Sequence, residues 1–249
     1  TKMLRLADGH ECLADMMDLG LMRNIAPEFI HGVGMDQGPY HHLDVWSHTV
    51  EVVANADPRD LTLRLAALFH DIAKPRCREE RADGKVTFYG HDEMGEQMAR
   101  EAMTRLKFSN DETDAVALLV RHHMRLGGAK EFTDSAARRV LRDLGDQTER
   151  FIELCEADSA AHAPGTRRPD YGHIREVLVR VAERTPVEKL DSPITGDRIM
   201  EVTGLLQGED VGKVKRHLSE LVIEGKLLPA DIEGAELEAK RFVGNRGHV

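Results

Sequence analysis

The sequence predicts an all-α fold: a helical bundle with one small β-hairpin insertion and a small helical module at its C-terminal end. Aromatic residues make up only 4% of the chain, whereas Ala, Leu, Glu and Arg, which favour helices, are abundant. Apolar residues recur at helical spacing through most of the chain. A hydrophobic fraction of 41% and a charged fraction of 31% are typical of a globular protein with a substantial core.

Helix starts and ends follow from capping residues and apolar periodicity. Asp44 is typical of a helix start. Residues 61–73 are strongly apolar, which predicts a buried helix that ends before Pro75. The Asp83-Gly84 pair predicts the turn of a hairpin within residues 76–89. Further helices are predicted over residues 11–23, 91–106, 110–124, 134–144, 146–157 and 174–183. Asn110 or Asp111 is expected to cap the helix over 110–124.

The C-terminal part reads as a separate module. Residues 186–193 are typical of a linker because proline stands at both ends. Helices are then predicted to begin near Thr195 and to cover 211–223 and 233–242. We therefore divide the chain into an N-terminal helical segment, a bundle domain and a C-terminal helical module. Their predicted bounds are residues 1–30, 31–185 and 194–249.

Charge and cysteine content exclude some classes of protein. The formal net charge is −10, so RNA binding over the whole surface is excluded and any RNA contact must be local. The three cysteines are Cys12, Cys77 and Cys155, and their wide spacing fits neither a disulfide framework nor a Cys-rich zinc site. The sequence contains neither a bilayer-spanning apolar run nor a signal peptide, so a cytoplasmic protein with no membrane partner is expected.

Seven imidazole and carboxylate groups lie on successive predicted helices. They are His48, His70, Asp71, His91, His122, His123 and Asp158. Antiparallel helices can bring such positions to one level of a bundle, as in helical dinuclear metal sites. We expect one ion at His48, His70, Asp71 and Asp158. A second ion is expected at Asp71, His91 and His122, with His123 as an additional candidate ligand.

A single buried histidine is more often a hydrogen-bonded core residue than a ligand, but the whole set favours metal binding. Asp71 ends an apolar helix, and a buried carboxylate without a partner is very costly. Imidazole and carboxylate together favour two divalent transition ions, Mn, Ni, Co, Fe or Zn, over Mg. Two ions sharing Asp71 would ionise a water and orient a phosphate, so phosphate ester hydrolysis is the expected reaction.

The order of these seven groups resembles the HD superfamily of metal-dependent phosphohydrolases, in its fuller two-metal version. Residues 39–49, 68–75 and 88–92 are similar to the HD region of bacterial tRNA nucleotidyltransferases, the CCA-adding enzymes, and 194–227 to the module that follows it. The resemblance implies phosphatase, phosphodiesterase and 2′,3′-cyclic phosphodiesterase activity on nucleotides and RNA ends. The sequence contains no counterpart of that family's N-terminal transferase domain, so nucleotide addition is not implied.

Four basic residues are weaker candidates. Lys74 lies three residues after Asp71, and both residues are predicted to be catalytic. Lys74 is also predicted to bind the substrate phosphate. The alternative is a solvated lysine at a helix end. Arg167 and Arg168 are candidate phosphate clamps, with an ordinary exposed loop pair as the alternative. Arg125 is also a candidate for substrate binding. Alternatively, Arg125 and His41 or His42 would hydrogen-bond to the metal ligands and orient them.

Two further functions remain open at this point. One is a non-catalytic RNA-binding or tRNA-end-processing partner, which makes tRNA a candidate partner beside nucleotides and RNA termini. The other is a fragment of a longer tRNA nucleotidyltransferase.

Overall fold

The computed structural model describes residues 2–38, 41–127, 131–184 and 190–244. It confirms the predicted all-α class, since helices alternate with turns along these residues and the hairpin supplies their only strands. The contacts divide the chain into two compact units, one built from residues 1–129 and 146–171, the other from 130–145 and 172–249. This division does not coincide with the three predicted segments, which stay a prediction, and the predicted linker lies partly outside the described residues.

The first unit contains most of the helices. They are α1 (Gly9–Asp18), α2 (Met22–Ile25), α3 (Val45–Asn55), α4 (Leu61–Phe69), α5 (Lys74–Cys77), α6 (His91–Arg105), α7 (Asn110–His122) and α9 (Thr148–Ala160). The predicted hairpin is present as β1 (Glu79–Glu80) and β2 (Val86–Thr87), which pair antiparallel. The core of this unit is apolar: Val52, Val53, Phe69 and Leu119 are buried, and α4 contacts α3, α7 and α9.

Side-chain caps fix where the helices begin. The Asp44 carboxylate accepts a hydrogen bond of 2.6 Å from the Ser47 amide at the start of α3, as predicted. The prediction that Asn110 or Asp111 caps α7 is wrong. Ser109 is the cap, and it forms a reciprocal capping box with Glu112.

The predicted helix over 61–73 is too long. α4 ends at Phe69, and residues 70–73 form turns. Pro75 does not stop that helix; it lies in the first turn of α5, where a missing backbone N–H has no consequence because that group lacks an intrahelical acceptor. The break therefore places His70 and Asp71 at a bend of the backbone rather than along a continuous helix.

The second unit is a smaller helical module with its own core. Its helices are α8 (Asp134–Leu144), α10 (Tyr171–Arg184, whose first residue belongs to the first unit), α11 (Gly196–Thr203), α12 (Glu209–Ile223) and α13 (Ile232–Gly244). Thr195 caps α11, as predicted, and Ile199, Leu218 and Ala235 are fully buried in the core. Among the residues described, no helix is long and apolar enough to cross a membrane.

Candidate metal centre

The candidate ligands come from five places in the first unit. His48 lies within α3, His70 follows the last residue of α4, and His91 is the first residue of α6. Asp71 lies in the bend after α4, His123 in a three-ten turn after α7, and Asp158 within α9. All are buried except Asp158, whose side chain is 18% exposed. The bundle thus gathers groups that are more than 100 residues apart in sequence.

One group of side chains surrounds the Oδ2 oxygen of Asp71. The Nε2 atoms of His70 and His48 lie 3.1 Å and 3.8 Å from it. Asp158 adds a second carboxylate, with Oδ1 2.9 Å from His48 Nε2 and 3.8 Å from His70 Nε2. His48, His70 and Asp71 are spaced so that they could hold one metal ion; we call them the first triad.

A second group surrounds the other oxygen of Asp71. Oδ1 lies 3.5 Å from His91 Nε2 and 3.8 Å from His123 Nε2. The two Nε2 atoms are themselves 3.2 Å apart. Asp71, His91 and His123 form the second triad that could hold an ion. Asp71 therefore offers one oxygen to each triad, which is the arrangement of a bridging ligand.

The backbone orients three of these imidazoles in the same way. Each Nδ1 atom lies 2.7 Å from the carbonyl oxygen three residues earlier, in the pairs His70–Ala67, His91–Phe88 and His123–Val120. Because a carbonyl only accepts, Nδ1 of each ring is a donor, and the Nε2 atom of each ring is turned toward Asp71. Metal-ligating histidines are typically held by such a hydrogen bond.

Burial and neighbouring charges shift the pKa values of the cluster. Burial lowers the pKa of His123 to about 4 and lowers that of His48, so both rings favour the neutral, ligating form. Burial alone would raise the pKa of Asp71, but the charges of His70 and Lys74 hold it well below the usual value. Asp71 is therefore a carboxylate at neutral pH.

The donor set fits a divalent metal ion. His70 Nε2 is buried, and its contact of 3.1 Å with Asp71 Oδ2 does not have the geometry of a hydrogen bond. At the second triad, two Nε2 lone pairs face each other at 3.2 Å, a contact that is repulsive unless a proton or a cation lies between them. Imidazole nitrogen with carboxylate oxygen is the donor mixture that transition divalent ions prefer.

Lys74 belongs to the interior of the site. Its side chain is 8% exposed, and its Nζ lies 2.7 Å from Asp71 Oδ2 and donates a hydrogen bond of 2.6 Å to Gln37 Oε1. The alternative of a solvated lysine at a helix end is therefore wrong, and Lys74 stands at the start of α5 rather than at a helix C-terminus. Its catalytic and substrate-binding roles stay predictions.

The other expected residues are less central. His122 is half-buried and belongs to neither triad, whereas His123 is buried in the second, so the expected order of preference between them is reversed. Arg125 is half-buried in the three-ten turn that begins at His123. Arg167 and Arg168 are exposed, and Arg168 donates to the Ala160 carbonyl. Their substrate-binding roles stay predictions.

Two neighbours of the site were missed. Gln37 is buried and bridges Lys74 to the Leu43 carbonyl. His162 packs against His41, with ring centroids 4.5 Å apart. His162 stands four residues after Asp158, one helical turn away, and that spacing was a usable signal. Gln37 gave none, because its contacts arise only from tertiary folding.

The sequence is similar to those of known proteins. Residues 40–162 match the family described as HD domain. The chain is 32% identical to an A-adding tRNA nucleotidyltransferase from Deinococcus radiodurans, over 97% of this chain and 55% of that protein. It is 32% identical to a CC-adding tRNA nucleotidyltransferase from Thermus thermophilus, over 90% of this chain and 50% of that protein. The chain thus spans about half the length of these curated relatives.

Proposed function

The chain belongs to the HD domain family through residues 40–162, and on that basis we propose that it is a metal-dependent phosphohydrolase. Its substrates would be phosphate monoesters or diesters of nucleotides or RNA ends, including 2′,3′-cyclic phosphates. The observation that carries the proposal is the pair of triads that share Asp71, each oxygen of which faces a different set of buried imidazoles.

The residues divide into two ligand sets. His48, His70, Asp71 and Asp158 would hold one divalent ion, and Asp71, His91 and His123 the other. His122 remains a candidate only as a neighbour of the second set. Manganese, nickel, cobalt, iron or zinc fits this donor set better than magnesium, which prefers oxygen ligands. When bound, the two ions would supply Lewis acidity for the phosphate and for a nucleophilic water.

The protein's own groups prepare the site for that chemistry. The backbone carbonyls behind His70, His91 and His123 fix each ring with its Nε2 atom toward the site. Lys74 balances the charge of Asp71 and thereby keeps it ionised. Asp158, the most exposed of the carboxylates, faces His48 and lies where a water or a phosphate oxygen can approach.

The decisive experiment couples metal content to turnover. Purified protein should contain two equivalents of a transition metal by elemental analysis. It should hydrolyse bis-p-nitrophenyl phosphate and 2′,3′-cyclic nucleotides with Mn, Ni or Co. Failure to hydrolyse any of these esters in protein shown to contain metal would reject the proposal.

A second candidate function concerns tRNA. The relatives named above are tRNA nucleotidyltransferases, and the similarity covers 97% and 90% of this chain, well beyond the HD domain itself. We therefore propose that this chain binds tRNA. It would do so either as a non-catalytic or tRNA-end-processing protein or as part of a longer nucleotidyltransferase. Tight tRNA binding whose affinity falls steeply with salt, without hydrolysis of any ester, would favour this function over the first.

A further inference from the structure

Two histidines that belong to neither triad, His41 and His162, lie beside the first triad. The ring centroid of His41 is 4.8 Å from that of His48, and the centroid of His162 is 5.5 Å from it. His48 is fully buried, whereas the His162 side chain is 21% exposed and His41 is half-buried. His162 therefore lies at a partly exposed edge of the site, with Nδ1 3.8 Å from Oδ1 of Asp158, whose side chain is 18% exposed.

Hydrogen bonding gives the exposed ring a definite polarity. His162 Nδ1 lies 2.8 Å from the backbone carbonyl oxygen of Asp158, four residues earlier, so a backbone carbonyl orients this ring too. Because the carbonyl only accepts, Nδ1 is the donor, and Nε2 of the neutral ring carries a lone pair. Nε2 is therefore the ring nitrogen that can contact a substrate, and in this tautomer it accepts a hydrogen bond.

His41 holds that ring in place. Its plane is tilted by 37° against His162 at a centroid distance of 4.5 Å, which is ordinary ring packing. This contact orients the His162 ring beside the first triad.

We propose that His162, positioned by His41, accepts a hydrogen bond from a sugar hydroxyl next to the substrate phosphate and so selects ribonucleotides over deoxyribonucleotides. This rests on the proposed function only in that the phosphate binds at the triads. The lone pair of the neutral ring accepts from a hydroxyl but repels an ionised phosphate oxygen, so we assign this position to the sugar. The ribose 2′-hydroxyl is the donor that distinguishes RNA from DNA.

The experiment compares two ligands that differ by one hydroxyl. Calorimetry would measure the Kd of adenosine 3′-monophosphate and of 2′-deoxyadenosine 3′-monophosphate for manganese-loaded wild-type protein and for His162→Ala. The wild type should bind the ribonucleotide about 3- to 10-fold more tightly, the value of one neutral hydrogen bond. In His162→Ala the ratio should fall to about 1 with the manganese content unchanged. His162→Gln, whose amide oxygen also accepts, should restore part of the preference.

Matched controls separate the roles of the two rings. His173, an exposed histidine on α10, is the control for His162, and exposed His42 is the control for its neighbour His41. His173→Ala and His42→Ala should keep the full ratio. His41→Ala should reduce it, because His162 loses the ring that packs against it.

Several results would overturn the assignment. They are equal wild-type affinity for the two nucleotides, no measurable wild-type binding of adenosine 3′-monophosphate, a preference that survives in His162→Ala, or loss of manganese from that variant. Wild-type hydrolysis of bis-p-nitrophenyl phosphate tests the proposed function separately. A hydroxyl preference without hydrolysis would retain this inference and reject the hydrolase, whereas hydrolysis without a preference would do the reverse.

Discussion

The two carboxylate oxygens of Asp71 face different groups, which we call its first side (Oδ2) and its second side (Oδ1). The protein's own groups pair with the polar atoms on the first side better than with those on the second. On the first side, His48 has a carboxylate of its own, since Asp158 lies 2.9 Å from its Nε2 atom, and the Asp71 oxygen also lies 2.7 Å from the Lys74 ammonium. On the second side, His91 and His123 face each other at 3.2 Å, and their nearest carboxylate oxygen is 3.5 Å and 3.8 Å away.

This difference indicates where a cation is most needed. A proton shared between His48 and Asp158 satisfies His48 Nε2 without metal, although His70 Nε2 on the same side has no hydrogen-bond partner among the described residues. On the second side, the Nε2 lone pairs of His91 and His123 face each other. The Nδ1 protons of both rings are already donated to backbone carbonyls. Only a cation or an added proton between the rings relieves that contact, and burial disfavours the proton at His123.

Substituting Asp71, the shared ligand, should abolish metal binding on both sides at once. This is the largest effect that we expect. Asp71→Ala should lose both metal ions and all hydrolytic activity, because each triad loses its only common oxygen donor. Elemental analysis and turnover of bis-p-nitrophenyl phosphate measure this. Asp71→Asn, which keeps the shape but not the charge, should also fail to hold two ions. Asp57→Ala, a carboxylate outside the cluster whose hydrogen bonds go to Arg59, is the control. Full metal content in Asp71→Ala would refute the bridging assignment.

Single-side variants should separate the two triads. His123→Ala should reduce the metal content from two ions to one and leave the His48 side occupied. Asp158→Ala should weaken the first ion while the second stays bound, because Asp158 lies only on that side. Loss of both ions in either variant would contradict the view that the sides bind independently apart from Asp71.

The sequence predicted which imidazoles and carboxylates converge better than it predicted the local geometry. Capping at Asp44 and Thr195 follows from local chemistry, and the structure confirms it. The choice between His122 and His123 depends on where α7 gives way to a three-ten turn, because each residue turns the side chain by about 100°. That change of phase, like the bend after Phe69, comes from tertiary packing and has no clear signature in the sequence.

Metal removal should cost stability, mainly through the second side. A ligand at 100 to 1,000 times its Kd adds ~3 to 4 kcal/mol to the folded state, so chelation should lower the Tm by about 10 °C. Calorimetric scans with and without EDTA would measure this. Asp71→Ala should show no EDTA-dependent shift, and a wild-type Tm insensitive to EDTA in metal-loaded protein would contradict the prediction.

Metal-free protein should lose stability as the pH falls from about 6.5 toward 4. The pKa of His123 is lowered to about 4 in the folded chain, from an unfolded value of 6.5, so in this window the unfolded state binds more protons. His70 acts in the opposite sense, but its raised pKa matters only above 6.5, and Asp71, with its lowered pKa, matters only below 3.8.

The measurement is a series of Tm values in EDTA across that pH window. A decrease of about 5 °C or more is expected for the wild type. His123→Gln should lose part of the slope, because that side chain does not titrate. A Tm that stays flat or rises toward pH 4 would show that the second side accepts a proton without cost.

The smallest expected effects concern the two loop arginines beyond Asp158, which carry the same charge in nearly the same place. Arg168 donates to the Ala160 carbonyl at the end of α9, so Arg168→Ala should lower stability by about 0.5 kcal/mol or less, since the residue is exposed. If Arg167 contacts the substrate phosphate, Arg167→Ala should lower kcat/KM for bis-p-nitrophenyl phosphate by about 2- to 5-fold, the value of an exposed ion pair. Equal kinetic losses in both variants would assign substrate binding to the pair, whereas unchanged kinetics in both would reduce them to ordinary loop residues.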